Sequence, residues 1–262
     1  MDFSLKMYSE ICRALEPYRV VTVKQYLSQD IEPPLVIMRH DVDKDLDCAL
    51  AVAELEYRMG INSTYYFRYP RTFDLVTMSK ISRWGHEIGY HYEVMDKAGG
   101  NIQKALDIFR QELDIFRRYF PVSTVCRHGN PLTKWDGKEI WEHCDFKDFD
   151  LEGEAYLSLA DVSVYLTDTG RNWCGSRNIK DFLGSGSSVS IKKTPELIAF
   201  LQNMGADRIY LNCHPERWAP GLWGWVKSLL RDKTLNLGKF LINQCHRPKP
   251  PSFPGGDTRR KN

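Results

Sequence analysis

The sequence predicts one α/β domain of about seven parallel strands, which a barrel of fewer than eight strands or an open sheet would both satisfy, with its site at the strand C-terminal ends. Three observations predict it. Short apolar, β-rich runs alternate with amphipathic helical runs from Leu35 onward. No linker-like break and no internal repeat interrupts that rhythm. Polar clusters follow the apolar end of one strand after another: Asp41/Asp43, His91/Glu93, Arg127/His128, Asp168/Arg171 and His214/Glu216. In parallel α/β folds the carboxyl ends of the strands meet on one face, so such clusters converge there.

In chain order, Leu5–Leu15 reads as an amphipathic helix and Thr22–Leu27 as a short helical turn. Pro33-Pro34 punctuates the approach to the first strand, Leu35-Val36-Ile37-Met38, which runs straight into Arg39-His40-Asp41-Val42-Asp43. Asp47–Met59 is helical and stops at Gly60 as a C′ residue. Ile61–Phe67 reads as a strand, Phe73–Trp84 as a helix ended by Gly85, and His86–Tyr92 as a strand. A long helix follows over Ile102–Tyr119, then a strand over Val122–Cys126 and a weaker one over Phe146–Phe149. Val162–Leu166 and Arg208–Asn212 are the last strands, with helices Pro195–Asn203 and Gly221–Gln244. The body is assigned to residues 1–246, and the basic, Pro/Gly-rich segment 247–262 to a disordered tail.

Charge excludes little but points away from polyanions. The chain has 36 basic and 34 acidic residues, net +2. The tail carries five basic residues and one acid, which leaves the body slightly negative. No nucleic-acid partner is implied. The N-terminus lacks the apolar core of a signal peptide, and no apolar run is long enough for a membrane span. Seven cysteines without a C-x-x-C pattern argue against a disulfide framework and fit a reducing, cytoplasmic location.

In extended chain Asp41 and Asp43 point the same way, with His40 and Val42 opposite. Two carboxylates on one face of a buried strand end are costly unless they hold a cation or act as acid and base. The bland alternative is helix capping, by Asp43 or by Asp45. Trp173, Trp218, Trp223 and Trp225 could form a sugar-stacking wall, although core packing is the expected use of Trp223 and Trp225. Gly184-Ser185-Gly186-Ser187-Ser188 lacks a P-loop lysine and reads as a flexible loop.

Taken in order, these clusters resemble the motifs of the polysaccharide deacetylase family, metal-dependent sugar N-deacetylases with a distorted barrel. Met38-Arg39-His40-Asp41-Val42-Asp43 resembles the first motif in its D-x-D variant, and Gly85-His86-Glu87-Ile88-Gly89-Tyr90-His91 the second. Cys126-Arg127-His128-Gly129-Asn130-Pro131, Tyr165–Trp173 and Leu211–Trp218 stand where the later motifs fall. The resemblance implies hydrolysis of an N-acetyl (or formyl) group on an amino-sugar or saccharide substrate. It implies one divalent ion, zinc first, with cobalt, nickel or manganese as alternatives. Asp43 and His91 would be ligands, Asp41 the general base and His214 the general acid. Arg127 or His128 would orient Asp41, and Asp168 would orient His214. Arg39, Arg171, Trp173, Glu216, Arg217 and Trp218 would face substrate. The chain departs from the motif at Met95, where a second histidine is usual, and a thioether is a poor ligand for such an ion. The third ligand is then Glu93, slightly preferred for its closeness to His91, or His128.

Overall fold

The computed structural model describes residues 1–130, 133–159, 161–173, 189 and 191–245, with backbone alone for 231 and 235–245. The serine/glycine run at 184–188, Pro131 and the tail lie outside the described residues. Every residue of β2 (Leu35–Val42) is buried. It pairs on one side with β8 (Arg208–Cys213). On the other side β1 (Arg19–Val21) takes its first half and β3 (Thr64–Phe67) its second. Beyond β3 the sheet continues through β4 (Glu87–Tyr92) and β5 (Thr124–Arg127) to β6 (Gly153–Glu154). Beyond β8 lies β7 (Val164–Thr167), and every pairing is parallel.

The sheet is strongly curled. Laid flat, β2 and β5 would stand roughly 14 Å apart, since neighbouring strands are about 4.7–4.9 Å apart. Instead the Cys126 Sγ on β5 lies 3.7 Å from the Asp41 Oδ1 on β2. Alternation then sorts the side chains into two cores. Leu35, Ile37, Tyr66, Cys126 and Tyr210 pack inside the curl. Val36, Met38, Val42, Tyr65 and Tyr90 face outward against α1 (Leu5–Ala14), α3 (Leu46–Arg58), α4 (Leu75–Arg83) and α6 (Ile102–Arg117). Gly89 is required on the inner face, because a Cβ there would stand 2.3 Å from the Tyr66 ring.

Most predicted elements fall within a few residues of their expected bounds, and Gly60 ends α3 with φ +71°. The remaining helices are α2 (Val23–Ser28), α5 (Val94–Ala98), α7 (Thr194–Gln202) and α8 (Gly221–Cys245). Two expectations are corrected. Phe146–Phe149 is a 3-10 turn rather than a strand, because Asp145 and Asp148 form a reciprocal capping box around it. Glu93 does not continue β4 but stands at the N-cap of α5, a helix the sequence reading did not foresee. Among the described residues, no helix is long and apolar enough to cross a membrane.

The outer layer is keyed to β2 through a buried carboxylate. Glu56 on α3 is fully buried. Its Oε1 accepts from Tyr8 Oη and lies 2.8 Å from His40 Nε2. Its Oε2 accepts from Ser63 Oγ and Tyr65 Oη, each at 2.7 Å. Burial opposes the charge, yet His40, His86 and the Tyr8 hydroxyl hold its pKa at about 2 against an ordinary 4.5. A folded-state pKa below the unfolded one adds stability that is complete above pH 4.5 and is lost as the pH falls towards about 2. Glu56→Gln is expected to cost roughly 3 kcal/mol of unfolding free energy at neutral pH, since it removes one partner of a buried charged network. It should also flatten the acid limb of stability between those pH values. Urea unfolding of both proteins across acid pH checks both outcomes.

Candidate functional site

Leu35, Ile37, Arg39 and Asp41 point into the curl from β2, and Asp43 extends that column by one residue. The capping role falls to Asp45, whose side chain accepts from Cys48 N at 3.0 Å. Asp43 is thereby left to the site.

Three donor atoms converge at the mouth of the curl. Asp43 Oδ1 lies 3.5 Å from His91 Nε2 and 3.2 Å from His128 Nδ1, and the two ring nitrogens are 3.3 Å apart. His91 Nδ1 donates to the Cys126 carbonyl at 2.9 Å, which leaves the Nε2 lone pair facing the other two donors. Asp43 Oδ1 is buried and makes no well-directed hydrogen bond, although two imidazoles crowd it. Burial would raise the Asp43 pKa, but His128 and His91 hold it well below the usual carboxylate range. For a tetrahedral zinc with bonds of about 2.0–2.2 Å, the donors stand about 3.3–3.6 Å apart. The O, N, N set and its edges fit that geometry.

Asp41 sits one layer deeper. Its Oδ2 accepts from Arg39 Nη2 at 3.3 Å and Asn212 Nδ2 at 3.2 Å, and its Oδ1 has the Cys126 thiol at 3.7 Å. With His91 and Cys126 it forms a second group of donors that could hold an ion. Burial keeps the Cys126 thiol protonated by pushing its pKa well up.

Across the mouth, Asp168 at the end of β7 gathers the segment after β8. Its Oδ1 accepts from His214 Nδ1 at 2.7 Å and Arg217 Nη1 at 2.9 Å. Its Oδ2 accepts from His214 N at 2.9 Å and Trp218 Nε1 at 2.8 Å. Burial and Arg217 oppose a charge on His214, but Asp168, helped by Asp41, raises its pKa to about 9. His214 is therefore an imidazolium at neutral pH. Its Nδ1–H is spent on Asp168, so its Nε2–H is the proton it can give away. Glu216 is buried beside this pair with Oε2 unpartnered, and burial and the Asp43 charge raise its pKa.

Several predicted roles are corrected by placement. Glu93 joins neither group of donors; its carboxylate pairs with Arg68 and faces Lys97 at 3.8 Å. Arg127 pairs with Asp136 and lies over the Tyr156 ring, so the guanidinium that holds Asp41 is that of Arg39. Arg39 is fully buried, donates to Tyr210 Oη at 2.8 Å, and is no substrate contact. Arg171 binds Asp232 and Ser228 on α8. Arg217 is engaged by Asp168 and approaches Asp232. Trp173 and Trp218 are interior, packed on Phe3, and Trp218 also on Tyr8. Met95 is a core residue of α5. His86 is structural, contacting the Ala53 carbonyl and Ser63 N. Three participants were missed. Cys126 was read only as a strand end opening the third motif, and Asn212 as part of a histidine motif. Arg68 follows the apolar end of β3, as the other polar clusters follow theirs, and could have been found that way.

No protein-family model matches the chain, and no curated protein does. Among solved structures it is similar to a CE4 esterase of Streptococcus mutans. That match has 13% identity and a TM-score of 0.45, covering 89% of this chain and 91% of that one. It is also similar to a mutant of the peptidoglycan deacetylase PdaC from Bacillus subtilis. Here identity is 12% and the TM-score 0.38, with 82% of this chain and 99% of that one covered.

The His214–Asp168 pair has a direct test. In wild-type protein the His214 ring should titrate near pH 9 by NMR. In Asp168→Asn, burial and Arg217 act unopposed by that carboxylate, and the titration should fall below the ordinary 6.5. An unchanged titration would mean that Asp168 does not hold the proton.

Proposed function

We propose that the chain is a metal-dependent amide hydrolase that removes an N-acetyl (or formyl) group from an amino sugar or a sugar-containing precursor. The observation that carries this reading is the triangle of Asp43, His91 and His128, flanked by a carboxylate on one side and an imidazolium on the other. Asp43, His91 and His128 would hold the ion. When bound, a divalent ion lowers the pKa of water and polarises the amide carbonyl. Asp41 accepts the proton of the attacking water on Oδ1, while Arg39 and Asn212 fix Oδ2. His214, protonated at neutral pH, gives its Nε2 proton to the departing amine, and Asp168 fixes the ring that does so. Glu216, buried with Oε2 unpartnered, can hydrogen-bond to a polar group of the substrate. Met95 does not weaken the reading, because His128 completes the donor set without it.

A second reading keeps this chemistry and changes the substrate to a non-sugar amide. It is favoured by the interior positions of Trp173 and Trp218, which leave neither as a sugar-stacking surface.

Metal content and turnover, measured together on protein purified without chelator, test the reading. Asp43→Asn and His128→Ala should lose the ion and the activity, and Glu93→Gln should keep both. Asp41→Asn should keep the ion and lower turnover by about 10²–10⁴-fold, the usual worth of a general base. Activity should also decline above about pH 9 as His214 deprotonates. Wild-type protein that takes up none of zinc, cobalt, nickel or manganese sinks the proposal. A panel of N-acetylated sugars, sugar nucleotides and simple amides separates its two forms.

A further inference from the structure

Among the described side chains of α8, those that hydrogen-bond or ion-pair with the body are polar or polar-tipped. Ser228 Oγ donates to the Glu216 carbonyl at 2.7 Å and accepts from Arg171. Asp232 takes Arg171 Nε at 2.7 Å, and Trp225 Nε1 donates to the Asp2 carbonyl at 2.7 Å. At about 100° per residue, Leu222, Trp223, Val226 and Leu230 fall on the opposite side of the helix. Trp223 is 84% exposed, Leu230 61% and Leu222 57%. A surface helix ordinarily buries its apolar stripe and shows water its polar one. Here the contacts that seat the helix consume its polar residues, and the apolar stripe is left outward.

The charge around that stripe says what covers it. Lys227 is exposed at one edge of the stripe, and Lys233 beyond its C-terminal end. Residues 221–262 carry nine basic residues and two acids, net +7, within a chain of net +2, so residues 1–220 carry −5. Basic charge is thus gathered on the one segment that also exposes tryptophan and leucine. A tryptophan with leucines, edged by lysines on a helix too polar to span, is the pattern of a helix lying in an anionic lipid interface. The geometry points to the Leu222–Lys233 face of α8 as a membrane-surface anchor that takes anionic phospholipid. This inference is independent of the hydrolase reading, because it rests on the outward side of α8 and uses none of the proposed site residues.

Co-sedimentation of the full chain with phosphatidylglycerol/phosphatidylcholine vesicles, against phosphatidylcholine alone, tests it. Binding should require the anionic lipid and weaken with added salt. Trp223→Ser with Leu230→Ser should lower partitioning at least about tenfold, since it removes the inserted apolar area. Lys227→Glu with Lys233→Glu should do the same through charge alone. All four positions are exposed, so circular dichroism should be unchanged. Vesicle binding that is absent in wild type overturns the inference. So does binding that survives the apolar double substitution, which would leave the basic C-terminal charge as its source. Conversion of a wild-type dimer into a monomer by that substitution, without vesicle binding, would instead give the face to a second copy of the chain.

Discussion

The structure depends on keeping two carboxylates charged and close together at the end of one buried parallel strand. Asp41 and Asp43 share a face of β2 because side chains alternate, and neither reaches bulk water freely. Uncompensated, that arrangement would cost several kcal/mol per charge. The two are compensated differently. Asp41 receives a permanent cation, Arg39, from its own strand and an amide from β8. Asp43 faces the imidazoles of His91 and His128. A guanidinium partner for one carboxylate and imidazole partners for the other set the two apart.

Curling of the sheet makes this compensation possible. Cys126 and His91 reach β2 from strands that a flat sheet would hold far away, and Gly89 admits the Tyr66 ring that fills the interior beneath them. Outside the curl, Glu56 ties α1, α3, β2 and β3 through hydroxyls and His40. His40, the neighbour of Asp41 on the opposite face of β2, is thereby pinned. Rigidity of that kind is what a site needs to hold donor atoms a few ångströms apart.

Asp168 plays the corresponding part on the other wall. It satisfies four donors at once, and it joins the end of β7 to the 3-10 turn Pro215–Arg217. Ser228 and Asp232 continue the network to α8 through the Glu216 carbonyl and Arg171. The same polar chain that orients His214 therefore decides which side of α8 faces outward.

Alternation and strand-end polarity were legible in the sequence, because both are local properties of the chain. They suffice for the parallel α/β class and for the inward pairing of Asp41 with Asp43. They also bring His91, His128, Asp168 and His214 to one end of the sheet. What the sequence could not decide was set by distances between elements that are far apart along the chain. Glu93 was preferred over His128 on sequence proximity, but α5 begins at once after β4 and turns Glu93 to Arg68. Arg39 and Arg127 are alike in sequence context, and only the curl sends one to Asp41 and the other to Asp136. Trp173 and Trp218 follow charged motifs yet are interior, because the N-terminal segment with Phe3 and Tyr8 folds over them. Trp223, expected inside, is outside, because Arg171 and the Glu216 carbonyl claim the other side of its helix. Local pattern tells which residues are apolar or charged, whereas the partner each one meets is a property of the closed sheet.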